Sequence, residues 1–479
     1  MSDQFNPADV QGNILRGYRK ARVRYLMLEV TDRAAPRRWL AASVKGSDGV
    51  PQITTESEKR WEKKPDTCFN IGVTYQGLKA LGVPADCLAS FPTEFIEGMN
   101  KRALKLGDAG PSAPENWDKP FDDPARVHLI ASIYADDVAQ LDRLQHEAVA
   151  GQWGLKVTGV RDGFCFNGDY VHFNYADNIS QPKFAEIHGT DDYPDWDSQP
   201  MAPLGTVLLG YETNFEGLKW RVPDPVALGH NGSFNAFRVL EQDVVGFEDY
   251  LTTAAHTLLG HPDVDELLPP GAEAKIELKP GKPLSRRDAL RELVAAAMCG
   301  RWRNGVPLAL SPETPNPSPD VSRTNFDYGA NSHCPYGAHT RRCNPRGAQI
   351  VQRVANHSRR LVRRGMPYGP EYVHDPKKPR DPDEPKRGLL GNFIGANLGA
   401  QFEAMSCDWL NLGLQDPRVT GSNDPLLGAN DALTSWFDLP LASGKTIRLR
   451  GLPRFVTTKG GAYTFLPSIA AIGYLGSLQ

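Results

Sequence analysis

The chain has 479 residues, and its 54 Lys and Arg against 57 Asp and Glu give a formal net charge of −3. Hydrophobic residues make up 40% of the chain, which is typical of a globular protein. No apolar run reaches the roughly 18 residues of a membrane helix, the first residues lack the basic start and apolar core of a signal peptide, and the charge balance disfavours a general nucleic-acid binder.

The length predicts two large domains or about three smaller ones. The 45 glycines and 39 prolines follow no repeat, so they predict long ordered loops that carry function. The seven cysteines are scattered and form no CxxC pair. This cysteine usage favours a reducing, cytoplasmic location.

Elements in the first third of the chain follow from its apolar pattern. Residues 21–30 and 126–137 are rich in branched and aromatic residues and are predicted to be strands. The stretch after the second strand, 136–150, has the apolar spacing of a helix. Strands that alternate with helices indicate an α+β unit.

A second α+β unit is predicted to begin near residue 170. Strands are expected at 205–215 and 232–240, the latter followed by a helix through Tyr250. The clearest helix runs from the cap formed by Ser285 and Asp288 to Gly300. Two proline-rich stretches, 311–320 and 374–388, are predicted to be surface loops because proline at this density interrupts helices and strands.

An arginine-rich segment lies between these loops and contains no Asp or Glu. Its members are Arg341, Arg342, Arg346, Arg353, Arg359, Arg360, Arg363 and Arg364. For about five of them we expect a solvated basic face, as charge runs usually form. The others fit an anion site, because the guanidinium fork matches carboxylates and phosphates. The spacing alone does not distinguish phosphate, nucleic acid and a cofactor carboxylate.

Six sequence blocks in collinear order carry a family resemblance. They are QGNILRGY (11–18), FNYADNISQP (173–182), MCGRWRNGVPLALSP (298–312), NSHCPYGAHTRRCNPRG (331–347), RRLVRRGMPYGPE (359–371) and KGGAYTFLPS (459–468). Together they resemble dye-decolorizing peroxidases, in particular the long-chain branch. The resemblance implies an α+β fold of two ferredoxin-like domains with antiparallel sheets, at 1–170 and 171–479, with haem b (iron protoporphyrin IX) in the C-terminal one.

The resemblance also implies a set of site residues. His339 matches the proximal iron ligand and Arg363 the distal arginine. Arg346 is similar to the arginine that binds a haem propionate, although Arg341 or Arg342 would serve equally well. Period-two alternation places Leu361 and Arg363 on one face of a strand and Arg360, Val362 and Arg364 on the other.

Asp177 matches the distal aspartate of the GxxDG motif, where a carboxylate can move a proton between the two oxygens of peroxide. Here both motif glycines are replaced, by Asn174 and Asn178. Asparagine tolerates left-handed backbone, so the turn is expected to survive. The added amides are expected to crowd the distal side or bond to Asp177. The acid that orients the proximal histidine is left open between Glu403 and Asp408.

The function implied by the resemblance is a peroxidase that uses hydrogen peroxide to oxidise small phenolic or dye-like aromatic reductants. One alternative is a haem-binding protein with little turnover, if the asparagines have altered the distal pocket. Another is a haem enzyme for a specialised biosynthetic oxidation. A nucleic-acid binder is disfavoured because no aromatic residues interleave the arginines. No membrane partner is expected, and the oligomeric state is left open.

Overall fold

The structure of the chain is a computed structural model. It describes residues 5–56, 65–188, 201–278, 281–328, 333–347, 357, 359–375, 380–381 and 383–478. None of the helices within these ranges is long and apolar enough to cross a membrane.

Most strands belong to one antiparallel sheet. The strands are β1 Arg22–Val30, β2 Thr67–Val73, β3 Leu129–Ala135, β4 Leu155–Phe164, β5 Tyr170–Val171, β6 Tyr175–Ala176, β7 Ser233–Gln242, β8 Val362–Arg363, β9 Met366–Tyr368, β10 Gly388–Gly395, β11 Trp436–Pro440, β12 Thr446–Arg450 and β13 Val456–Leu466. Nine of them form a sheet of order β4-β1-β3-β2-β13-β7-β10-β8, with β9 also on β10. Two hairpins, β5–β6 and β11–β12, lie apart from it.

The helices pack around this sheet. They are α1 Ala34–Lys45, α2 Tyr75–Ala80, α3 Ala85–Ala89, α4 Thr93–Glu97, α5 Val138–Val149, α6 Val226–Gly229, α7 Val244–Leu259, α8 Val264–Leu267, α9 Arg286–Cys299, α10 His339–Cys343 and α11 Ile469–Ser477. Two π-helical segments, Leu398–Glu403 and Met405–Asn411, follow β10.

The sheet repeats one topology twice. The first four strands pair in the order 4-1-3-2, with α1 after the first strand and α5 after the third. In the second half, β7, the β8 and β9 region, β10 and β13 take the same four places, with α7 after the first and the π-helical segments after the third. This is the ferredoxin-like arrangement, so the predicted α+β fold class is confirmed.

The two halves meet where β13 pairs with β2, at Phe465 and Val73. The C-terminal helix α11 also packs against α1 of the first half. The predicted domain boundary, between 1–170 and 171–479, falls within β5 and stays a prediction.

Several predicted elements are confirmed where local signals were strong. The strands at 21–30, 126–137 and 232–240 correspond to β1, β3 and β7, and the helices after the last two are α5 and α7. Helix α9 begins where Ser285 Oγ accepts from the Asp288 amide at 3.2 Å and ends at Gly300, whose φ is 88°. Both caps satisfy backbone groups that the helix leaves unpaired.

The strand predicted at 205–215 is wrong. This segment forms a short 3₁₀ helix, Leu204–Thr206, followed by turns in which Leu208 donates to the Leu204 carbonyl. Val207, Leu208 and Leu209 are all buried. A short apolar run predicts burial, and here local turns rather than strand pairing satisfy the backbone.

Candidate functional site

A cavity of about 360 Å³ lies in the second half of the chain and is bounded on one side by residues 106–108 of the first half. Its volume is in the range of ligand pockets. Asp177, His339, Arg346 and Arg363 all line it. The fold therefore brings together four residues that lie up to 186 positions apart in the sequence.

His339 is the first residue of α10. Its Nδ1 lies 3.0 Å from Oδ2 of Asp424, whose side chain is fully buried. An ionised carboxylate only accepts hydrogen bonds, so in the neutral form of the ring Nδ1 carries the proton and the lone pair is on Nε2. A histidine held in this way presents Nε2 as a metal ligand.

The charges of this pair stabilise each other. Burial lowers the pKa of the His339 imidazolium, but Cys343 and the Asp424 carboxylate outweigh burial and hold the pKa well above its usual value. Burial raises the pKa of Asp424, whereas His339 and Arg342 lower it, and the net direction is downward. The other oxygen of Asp424 accepts from the amides of Leu426 and Leu427 at 2.9 and 2.7 Å. Asp424 is therefore an ionised, fixed acceptor for Nδ1.

Neither of the two acids suggested by the sequence orients His339. Glu403 binds Arg102, with Nε to Oε1 at 2.9 Å, and accepts from the Tyr463 hydroxyl at 2.9 Å. Asp408 binds Arg359 at 3.2 Å. Asp424 was missed because it lies 85 residues after His339 in a loop, and no spacing rule joins the two.

Six of the seven described arginines of the segment are buried or partly buried, so the expectation of a solvated face for about five of its members is wrong. Arg341, Arg342 and Arg346 are each less than 9% exposed. Arg359 and Arg364 are partly buried and contact protein groups, whereas Arg363 is exposed. Arg353 lies outside the described residues.

Arg341 and Arg342 do not line the cavity, whereas Arg346 does. Arg341 donates to the Cys334 carbonyl at 2.6 Å and lies over the Tyr336 ring. Arg342 donates to the carbonyls of Gly337, Trp409 and Ser422, each at 3.0 Å. Both arginines therefore stabilise the fold by hydrogen bonds to backbone carbonyls.

Arg346 shares the cavity wall with Arg301 and Arg360, neither of which was predicted from the sequence as a propionate-binding residue. Burial, with Arg346 nearby, lowers the pKa of Arg301 to about 10. Burial together with Arg346 and Arg363 lowers the pKa of Arg360 to about 10. Among the described residues that line the cavity, only Asp108 and Asp177 are acidic. Clustered buried cations favour an anionic ligand at this end, because the ligand would offset their repulsion.

Asp177 follows the β5–β6 hairpin, and its amide donates to the Asp169 carbonyl at 2.8 Å. Asn174 and Asn178 have φ of 57° and 62°, so both adopt the left-handed backbone that asparagine was expected to tolerate in this turn. The expected crowding is wrong: neither asparagine lines the cavity, and within the described residues neither side chain hydrogen-bonds to Asp177.

Arg363 is held close to the segment that carries Asp177. Its amide donates to Gln181 Oε1 at 3.0 Å, and Gln181 Nε2 donates to the Arg363 carbonyl at 3.1 Å. The predicted alternation is correct for Leu361 and Arg363 in the cavity, but wrong for Arg360, which also lines it. The alternation fails there because the strand begins only at Val362.

The antiparallel sheet with its repeated topology defines the class as an α+β barrel protein. Its cavity is lined by two imidazoles, two carboxylates and several arginines. The family described as the DyP dimeric alpha+beta barrel domain matches residues 9–160. A dye-decolorizing peroxidase of Mycena epipterygia is 28% identical, with 100% of this chain and 88% of the relative covered. A multifunctional dye peroxidase of Amycolatopsis sp. is 29% identical, with 96% and 94% covered.

Solved structures agree with these matches. A dye-decolorizing peroxidase in complex with 2,6-dimethoxyphenol superimposes with a TM-score of 0.76 at 24% identity, covering 99% of this chain and 100% of the other. At this identity the likeness establishes the fold. Together with the relatives above, it shows that this chain is similar to dye-decolorizing peroxidases over nearly its whole length.

Proposed function

We propose that this chain is a haem b peroxidase that reduces hydrogen peroxide and oxidises phenolic or dye-like aromatic molecules. The observation that carries the proposal is the cavity in which the His339–Asp424 pair, the arginine cluster and Asp177 with Arg363 all meet. The chain's full-length similarity to dye-decolorizing peroxidases supports the activity, and the phenol bound by a structural neighbour supports the substrate class.

The residues present fit a haem. His339 would hold the iron through Nε2. Arg346, Arg301 and Arg360 would bind the propionate carboxylates, whose negative charge would offset the burial and mutual repulsion that lower the pKa values of Arg301 and Arg360. When bound, haem supplies an iron centre that accepts two oxidising equivalents from peroxide. Asp424 keeps the imidazole oriented and basic.

The chain's own part in the reaction is proton transfer and charge stabilisation. The Asp177 carboxylate accepts the proton from one peroxide oxygen and returns it to the other, so that water leaves. The Arg363 guanidinium stabilises the negative charge that develops on the leaving oxygen. Arg363 bonds to Gln181 through its backbone, and the side chain lines the cavity, so the guanidinium is available to a ligand there.

The first experiment is a visible spectrum of the purified chain with haem, followed by stopped-flow mixing with peroxide. We expect a Soret band typical of histidine-ligated ferric haem, and we expect this band to shift after mixing with peroxide. His339→Ala should remove that histidine signature, and Asp177→Asn should slow the peroxide reaction by about 10²–10⁴-fold while leaving the resting band intact. A Soret band unaffected by His339→Ala contradicts the ligand assignment.

The alternative of a haem-binding protein with little turnover loses its main support, since Asn174 and Asn178 lie outside the cavity wall. A fast peroxide reaction in the unmodified chain would exclude it. A slow reaction that glycine at both positions accelerates would favour it instead.

The cytoplasmic location is part of the same proposal. All seven cysteines lie in the described part of the chain, and none forms a disulfide. This fits a reducing compartment. Cell fractionation with an antibody against the chain tests the location.

A further inference from the structure

The turn that carries Asp177 is conformationally strained. Phe173, Asn174 and Asn178 have φ of 66°, 57° and 62°, and none of them is glycine. Left-handed backbone costs free energy, more for the bulky Phe173 than for the two asparagines, and it persists only where the surroundings over-determine it. The turn therefore depends on contacts from outside it.

Arg303 supplies these contacts from both its main chain and its side chain. Its carbonyl accepts from the Ala176 amide at 2.8 Å. Its guanidinium donates through Nη1 to the Phe173 carbonyl and lies over the Tyr175 ring, 5.6 Å from the centroid. Three of the four residues before Asp177 are thus fastened to Arg303.

Two buried carboxylates hold the guanidinium in turn. Arg303 Nε donates to Glu292 Oε2 at 2.8 Å, and Nη2 lies 3.2 Å from Glu248 Oε1. The side chains of Glu248 and Glu292 are 1% and 3% exposed. They project from α7 and α9, so the turn is tied to the helical layer rather than to the cavity.

Arg291 binds the same two carboxylates but not the turn. It reaches Glu292 Oε1 at 3.0 Å and also contacts Glu248. Across the described ranges, Arg291 makes no hydrogen bond to residues 173–178, and neither arginine lines the cavity. Arg291 is therefore a natural matched control for Arg303.

We propose that Arg303 is a positioning residue that holds the Asp177 carboxyl group at the cavity through the turn 173–178. The inference rests on the proposed function, because it requires Asp177 to move the peroxide proton. A planar fork with fixed donors suits this task, since it bonds the turn and both carboxylates at once.

The test compares Arg303→Gln, Arg303→Lys, Arg291→Gln and Asp177→Asn in the haem-reconstituted chain, mixed with peroxide by stopped flow. Arg303→Gln should slow the reaction by about 10–100-fold, the loss expected when a reacting group is misplaced by about 1 Å. Arg303→Lys should fall between wild type and Arg303→Gln, because lysine keeps the charge but not the fork. Arg291→Gln should react like wild type.

A double variant separates positioning from a general structural role. If Arg303 acts through Asp177, the variant that combines Asp177→Asn with Arg303→Gln reacts no more slowly than Asp177→Asn alone. If the two losses multiply, Arg303 acts independently of Asp177 and the proposal is overturned.

A second readout needs no haem. Hydrogen exchange of the haem-free chain should show faster exchange of the Ala176 amide in both Arg303 variants and unchanged exchange in Arg291→Gln. Wild-type exchange in the Arg303 variants overturns the proposal. If Arg303→Gln does not fold, Arg303→Lys decides the matter by the same two measurements.

The failure of the inference is distinguishable from that of the proposed function. If Asp177→Asn is slow and both Arg303 variants react like wild type, the inference alone fails. If Asp177→Asn itself reacts like wild type, the proton-transfer role of Asp177 fails, and the role of Arg303 fails with it.

Discussion

The two ring nitrogens of His339 have different tasks in this structure. Nδ1 lies against a fully buried carboxylate, whereas the ring also lines the cavity. A second partner of this kind decides which nitrogen is available to a metal and how basic it is. At the residue scale, the ligand and its partner therefore act as a pair.

Replacing the partner should change the electronic properties of a bound iron. We expect Asp424→Asn to raise the ferric–ferrous reduction potential of the haem-loaded chain, because removing the carboxylate charge makes the imidazole less basic and disfavours the ferric state. Spectroelectrochemical titration measures this potential. Asp408→Asn is the control, since Asp408 contacts Arg359 rather than His339. An equal shift in both variants would refute a specific role for Asp424.

Arg346 and Arg341 lie on the same short segment and both make carbonyl hydrogen bonds, but only Arg346 lines the cavity. Arg346→Leu should weaken haem binding by about 10–100-fold, the loss of one charge-assisted hydrogen bond of about 1.5–3 kcal/mol. Arg341→Leu should lower the melting temperature with little change in haem affinity. Haem titration and thermal denaturation of both variants check this difference, and the reverse result would return the propionate role to Arg341.

At the element scale, the hairpin β5–β6 and the strand β8 place the distal residues. The segment after β6 pairs with Arg363 through Gln181, so one hairpin and one two-residue strand bring a carboxylate and a guanidinium to the same cavity. Asn174 and Asn178 supply the left-handed positions that this hairpin needs. The asparagines thus have a backbone role.

Restoring glycine tests that role. The variant with Asn174→Gly and Asn178→Gly should change the peroxide reaction by less than about tenfold, below the 10²–10⁴-fold effect of a proton-transferring group, because neither asparagine lines the cavity. Stopped-flow kinetics measure the change, with Asp177→Asn as the reference for a large effect. A strong acceleration would show that the amides hinder the distal side.

At the scale of the whole molecule, the cavity is closed by both halves. Leu106, Gly107 and Asp108 of the first half line it beside the strands of the second. The buried ion pair of Arg238 with Asp108, at 2.6 Å, joins the two halves at the cavity wall. A ligand in the cavity therefore contacts both units.

Haem binding should accordingly stabilise the whole chain against unfolding. At a free haem concentration 100 times the Kd, we expect the free energy of unfolding to rise by about 2.7 kcal/mol. Denaturant titrations with and without haem measure the gain, and Arg346→Leu should reduce it at the same haem concentration. Stabilisation confined to the second half would argue against a shared cavity wall.

Much of the fold was predictable from the sequence, because its signals are local. Strand alternation in β1 and β3, the Ser285 cap and the Gly300 stop of α9 depend on neighbouring residues. The segment 205–215 was mispredicted because an apolar run predicts burial without specifying which partners satisfy its backbone. The four predicted site residues were found by motif, and the structure brings them to one cavity, but their chemical roles stay predictions.

The sequence by itself determined the α+β class, the family resemblance and the candidates His339, Asp177, Arg346 and Arg363. Tertiary structure alone decided that Asp424 partners His339, that Arg301 and Arg360 join Arg346, and that Arg341 and Arg342 turn away. The physical reason is that local order depends on residues a few positions apart, whereas partners across a cavity are chosen by burial and charge. Only the folded chain brings such distant groups within hydrogen-bonding distance.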